Sequence, residues 1–238
     1  MDIYKYIKTN NTLNPKLWNG FILKDNVKDK IQEIADFFID KLQNNDVYIL
    51  VKDIYILGSN AGYNYNSDSD LDIHIMVSRD GSNIPFEYLN KIYLMYRSLF
   101  KNTYEPSIEG IPVELYIEEY QNSNNASEGI YSLQNGWIKK PKKAEELKVN
   151  AEEINSLYSS YTKEFEELKE KISSEDIDYQ IYEIDKFIDK IYDLRKTNLS
   201  TGGEFNSGNI VFKELRAKGY INALRELKTS LENKKITM

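Results

Sequence analysis

The stretch Leu57 to Val77, LGSNAGYNYNSDSDLDIHIMV, concentrates residues that can do chemistry. A Gly-Ser pair is followed by Asp68, Asp70 and Asp72 at every second position, and these lead into an apolar run. Side chains of a strand alternate faces, so Asp70, Asp72 and His74 share one face while Leu71, Ile73 and Ile75 take the other. Two carboxylates leaving a sheet together repel each other and are costly to desolvate unless a cation lies between them. The chain has no cysteine and one histidine. Disulfides, thiolate zinc sites and a cysteine nucleophile are therefore excluded, and a hard divalent ion fits best, Mg²⁺ first and Mn²⁺ as the alternative. An EF-hand loop opens with a similar acidic alternation, but it needs Gly at its sixth position and Glu at its twelfth. Those positions here hold Ile73 and Arg79, so that reading fails.

Gly58 and Ser59 end the preceding strand. A small residue there lets backbone N–H groups approach a polyphosphate, and the hydroxyl adds a donor. A third acid on a neighbouring strand would complete a metal site, and Glu114 in Pro112-Val-Glu-Leu-Tyr-Ile117 stands between apolar neighbours.

The elements that must position these residues follow from periodicity. Val27, Ile31, Ile34, Phe38 and Leu42 predict a helix over 26–42, capped by Asp25 and ended by Asn44-Asn45-Asp46. Strands are expected over 53–57 and 71–77, a break at Gly81-Ser-Asn83, a helix over 86–100 and a strand over 111–117. Gly129 to Ile138 reads as two short strands around a Gln-Asn-Gly turn. Beyond Pro141 two long apolar stripes, 154–172 and 177–194, predict helices. Asn198-Leu-Ser-Thr-Gly-Gly203 reads as a loop before a final helical pair, 209–218 and 220–231, with Gly219 as the turn. The expected class is α+β, a small mixed-sheet domain over 1–141 and a helical domain over 142–238.

This arrangement resembles the nucleotidyltransferase superfamily that includes DNA polymerase beta. Gly58, Ser59, Ser69, Asp70, Leu71, Asp72 and Glu114 match its Gly-Ser, its Ser-Asp-x-Asp and its later acid in order. Ser59 to Asp70 is eleven residues, as in small bacterial members reading GSxARGxxxxxSDxD. Ala61 matches as well, whereas Gly62-Tyr63 replaces their Arg-Gly. More loosely, LNPKLW near the start and NIVFKELRAKGY near the end are similar to uncharacterised nucleotidyltransferases of tailed phages, which suggests a phage or prophage origin.

The resemblance implies a polymerase-beta-like domain that transfers a nucleoside monophosphate from a nucleoside triphosphate, ATP foremost, to an acceptor hydroxyl. Asp70, Asp72 and Glu114 would hold Mg²⁺, and Gly58, Ser59 and Ser69 the phosphates. Lys213 and Arg216, three apart on a predicted helix, can meet one phosphate-bearing ligand from the same side, although such a helix face also suits solvent. The acceptor stays open among an RNA 3′ end, a small molecule, a protein and a second nucleotide. A nucleotide-binding module without turnover, acting as a sensor or partner switch, is the alternative.

The formal charge of −7 over 238 residues weighs against extended duplex nucleic acid, which rewards a basic surface. KKPKK, Lys139 to Lys143, reads as a solvated loop that tolerates a short RNA end. No stretch approaches the roughly 18 apolar residues of a membrane span, and MDIYKYIKTNNTLNPKLW lacks a signal-peptide core. The expected setting is cytoplasmic, the host cytoplasm for a phage product, with no membrane partner.

Overall fold

The structure, a computed structural model, describes residues 9–44, 47–78, 80, 84–120, 129–143, 149–171, 176–202 and 205–237. The chain divides into two compact units, with the boundary between Glu145 and Glu146.

The first unit contains strands β1 (Trp18–Asn19), β2 (Ile22–Leu23), β3 (Leu50–Leu57), β4 (Leu71–Ser78), β5 (Ser107–Ile108), β6 (Ile111–Glu119), β7 (Ile130–Ser132) and β8 (Gly136–Lys139). Its helices are α1 (Asp25–Gln43) and α2 (Phe86–Thr103). β1 and β2 form a small antiparallel hairpin, and the other strands make one mixed sheet in the order β5-β6-β4-β3-β7-β8. β4 and β6 run parallel. Parallel neighbours cannot be joined by a tight turn, and α2 supplies the crossover.

Sequence and packing agree most closely in β4. Leu71, Ile73 and Ile75 are fully buried on one face, each side chain contributing about 1.5–3 kcal/mol of burial. The opposite face is half-buried at Asp72 and His74 and turns apolar at Met76. Val27, Ile31, Ala35, Phe38 and Leu42 of α1 pack into the same core as that apolar β4 face. The buried Asp53 lies at an irregularity in β3, where its carboxylate accepts from the Ile54 N–H (2.7 Å) and the Ser132 hydroxyl (2.6 Å). Neutral donors therefore satisfy it, and its task is to tie β3 to the β7–β8 hairpin.

The second unit is helical: α3 (Ala151–Lys171), α4 (Ile177–Gly202), α5 (Ser207–Ala217) and α6 (Tyr220–Thr237). Ile154, Phe165, Ile184, Ile191, Phe212 and Leu224 form its core. Among the described residues no helix is long and apolar enough to cross a membrane.

Two sequence expectations change, and three short strands are added. Asp25 is not a cap but the first helical residue of α1, with Lys24 at the cap position and no side-chain cap bond; its charge still complements the helix dipole. The loop expected from Asn198 is instead helical as far as Gly202. The Asn198 amide donates to the Leu194 carbonyl one turn back, and its oxygen accepts from the Gly208 N–H. A residue read as a breaker thus extends one helix and docks the next. β1, β2 and β5 were not foreseen, because two-residue strands carry no period. The break at Gly81-Ser-Asn83 lies outside the described residues.

Candidate metal centre

Asp72 and Glu114 are register partners across the β4–β6 ladder, so both side chains leave the same face of the sheet on adjacent strands. Asp70 precedes the ladder by one residue. One oxygen from each of Asp70, Asp72 and Glu114 lies within 4.8 Å of the others, and all three residues are half-buried. On the other flank Asp72 is paired with Leu57, the last residue of β3. The chain then turns at Gly58, whose φ of 71° and ψ of −164° suit glycine. A short 3₁₀ turn, Ser59–Ala61, follows. The Ser59 hydroxyl donates to Ser69 Oγ at 3.0 Å, and Ser69 Oγ also accepts from the Asn66 N–H at 3.0 Å.

The structure therefore brings Gly58, Ser59, Ser69, Asp70, Asp72 and Glu114 to one end of the sheet. Lys213 and Arg216 lie in the other unit, on α5, half-buried and exposed respectively. The four lysines of Lys139–Lys143 are exposed, as a solvated run should be, and Lys143 donates to Asn11.

Glu114 has three donors of its own. Arg97 reaches its Oε2 at 3.2 Å, Tyr116 donates to Oε2 at 2.8 Å, and Lys101 pairs with Oε1. Burial pushes the Glu114 carboxyl up, but hydrogen bonds from Lys101 and Tyr116 and the charges of Lys101 and Arg97 outweigh it and hold it below the usual carboxylate value. Burial foremost, then the neighbouring Asp72 and Glu114 charges, pushes Tyr116 well above the usual phenol value. Tyr116 thus stays a protonated donor to Glu114. Arg97 also lies 3.8 Å from the centre of the Tyr116 ring.

His74 stacks on Tyr116, with ring centres 4.4 Å apart. Its Nδ1 lies 3.0 Å from Glu118 Oε1, and the hydrogen bond to His74 holds Glu118 below the ordinary value. The histidine is paired within the sheet, two residues beyond the acidic edge.

The Glu114 cluster makes stability depend on pH with a definite sign. A carboxyl depressed in the folded state stabilises the fold above its unfolded value, and that contribution disappears as pH falls through the folded value. Glu114→Gln should therefore melt lower than the wild type at neutral pH without metal. The two melting temperatures should converge in acid below the ordinary carboxylate range. A gap that stays constant across the acid titration would exclude Glu114 as its source.

Arg97, Lys101 and Tyr116 were missed from sequence. Arg97 and Lys101 are four apart on α2, so a reading of its polar face as well as its apolar one would have found them. Tyr116 follows Glu114 by two residues and so shares its strand face. Beside these residues opens a cavity of about 560 Å³, lined by Asp70, Glu114, Arg97, Lys101, Tyr104 and Pro106 among others.

The donor set is all oxygen and anionic, as Mg²⁺ and Mn²⁺ prefer. Ligands about 2.1 Å from one octahedral ion stand about 3–4.2 Å apart, so a small side-chain rotation closes the three carboxylates on a single ion. Two ions about 3.5–4 Å apart would also fit the observed spread. Compared with known proteins, the chain matches no family model, no curated protein and no solved structure.

Proposed function

We propose that the chain is a metal-dependent nucleotidyltransferase that moves a nucleoside monophosphate from a nucleoside triphosphate, ATP foremost, to an acceptor hydroxyl and releases pyrophosphate. The observation that carries this reading is the convergence of Asp70, Asp72 and Glu114 within 4.8 Å at the end of the sheet where the Gly58-Ser59 turn also sits. When bound, Mg²⁺ neutralises phosphate charge and favours in-line displacement. Asp70 and Asp72 would hold it, while Leu71 and Ile73 anchor the strand in the core on the opposite face. Gly58 presents backbone without a side chain, and Ser59 and Ser69 offer hydroxyls to the phosphate tail.

Glu114 borders the cavity, and its donors keep it ionised and weakly basic. Such a carboxylate suits aligning a hydroxyl through a hydrogen bond better than retaining its proton. The cavity of about 560 Å³ is of the size that takes a small hydroxylated molecule or a chain end. A protein acceptor would have to present an extended loop.

The binding-module reading draws on a different observation. Arg97, Lys101 and Tyr116 already engage Glu114, which would suit a site that binds nucleotide through Asp70 and Asp72 and stops there. One set of measurements separates the two. ATP affinity by calorimetry should fall sharply in EDTA and about tenfold in Ser59→Ala, the worth of one charge-assisted hydrogen bond. Pyrophosphate release should then appear with one member of a panel of RNA ends, small hydroxylated molecules, proteins and nucleotides. Metal-dependent ATP binding without release by any acceptor would favour the module. Equal affinity in EDTA would defeat both.

A further inference from the structure

Asn60 follows the Gly-Ser pair and is completely buried. Its Nδ2 donates to the backbone carbonyl of Asp70 at 2.7 Å, and its Oδ1 accepts from Asn14 Nδ2 at 2.8 Å. Its own carbonyl accepts from Trp18 Nε1 at 2.8 Å. Asn14 is buried as well, and its Oδ1 accepts from the Lys16 N–H at 3.1 Å. Lys16 Nζ in turn reaches the Glu109 carbonyl at 3.0 Å, in the turn between β5 and β6. Leu13, Leu17 and Trp18 anchor this segment in the core.

We propose that Asn60 is a positioning residue of the metal centre, and that Leu13–Trp18 is the buttress that holds it. The inference rests on the metal-site reading above. Asp70 precedes the first ladder pair of β4, Leu71 with Val113, so the sheet register does not fix its carbonyl as it fixes Asp72 and Glu114. Asn60 supplies that constraint. The task needs a donor toward Asp70 and an acceptor toward Asn14 in a short side chain, which an amide provides and a carboxylate does not. Through Lys16 the same segment also holds the turn that leads into β6, the strand of Glu114. One stretch of chain thereby ties together the loop of Asp70, the turn over Asp72 and the approach to Glu114. This gives LNPKLW a task that the sequence alone did not disclose.

The test uses Mn²⁺ as the probe, titrated calorimetrically into the full chain, with thermal melts alongside. Asn60→Asp keeps the shape but turns the donor into an acceptor facing the Asp70 carbonyl. It should weaken Mn²⁺ binding about tenfold, the range seen when a ligand loses its supporting partner. Asn14→Ala should weaken it less, and Asn14→Ala with Asn60→Ala should bind no more weakly than Asn60→Ala alone, because the two act in series. Phe38→Leu, a core change on α1, should lower the melting temperature and leave Mn²⁺ affinity alone. Wild-type affinity in Asn60→Asp and Asn14→Ala would overturn the inference, as would a Phe38→Leu variant that lost as much affinity for the same loss of melting temperature. A wild type that takes up no Mn²⁺ would instead defeat the metal-site reading itself.

Discussion

Asp70→Asn and Asp72→Asn should each reduce the proposed nucleotide transfer at least about 1000-fold, equivalent to about 4 kcal/mol of transition-state stabilisation, and yet leave the fold intact. Both substitutions keep side-chain shape while removing the charge that would hold a divalent ion. In the metal-free state one oxygen from each of the three carboxylates lies within 4.8 Å of the others, and neutralising Asp70 or Asp72 relieves repulsion. Melting temperature without metal should therefore hold or rise, while the metal-induced gain in melting temperature should disappear. Functional sites commonly retain strain of this kind at the expense of stability. A structural role predicts the opposite pattern, a lower melting temperature with chemistry unchanged. Pyrophosphate release measured beside melts with and without Mg²⁺ separates the two in one series.

The acidic edge was legible because its residues obey strand arithmetic. Alternation put Asp70 and Asp72 on one face, and a buried apolar partner face at Leu71, Ile73 and Ile75 left the sheet a single orientation. The third acid could be named because Glu114 interrupts an apolar run. Its match to Asp72 is a matter of register between parallel strands, which no local pattern encodes. Asn60 escaped notice for a related reason. An Asn after Gly-Ser reads as turn chemistry, and only the tertiary approach of Asn14 and of the Asp70 carbonyl turns it into a clamp. Arg97 and Lys101 stand four apart on an amphipathic helix, and only the crossover that sets this helix beside β6 brings them to Glu114. The misread loop at Asn198 shows the same limit from the other side. Its side chain satisfies the helix carbonyl and the next helix together, and that outcome depends on where α5 begins. Local preference decided the elements with strong periods, and long-range partners decided the polar residues.

Gly58→Ala should damage both the fold and the metal centre. The backbone there has φ 71° and ψ −164°, a region that is almost confined to glycine and costs other residues about 1–3 kcal/mol. Rotation cannot relieve that cost without loss elsewhere. Leu57 on one side is held in register with Asp72, and on the other the Gly58 carbonyl accepts from the Ala61 N–H at 3.1 Å. The added Cβ would also stand 2.9 Å from Asp72 Cγ and closer still to its Oδ2, so the carboxylate must move away from the position in which it meets Asp70 and Glu114. The variant should therefore melt lower and bind Mn²⁺ more weakly, in contrast with Asp72→Asn, which should lose metal without losing stability. Ser59→Ala, one residue on, loses the hydroxyl that donates to Ser69 Oγ and should melt slightly lower, but it should keep its Mn²⁺ affinity and lose affinity for the triphosphate. If Gly58→Ala kept wild-type Mn²⁺ affinity, the Asp72 carboxylate would not be resting against this turn, and glycine would be required there by the backbone alone.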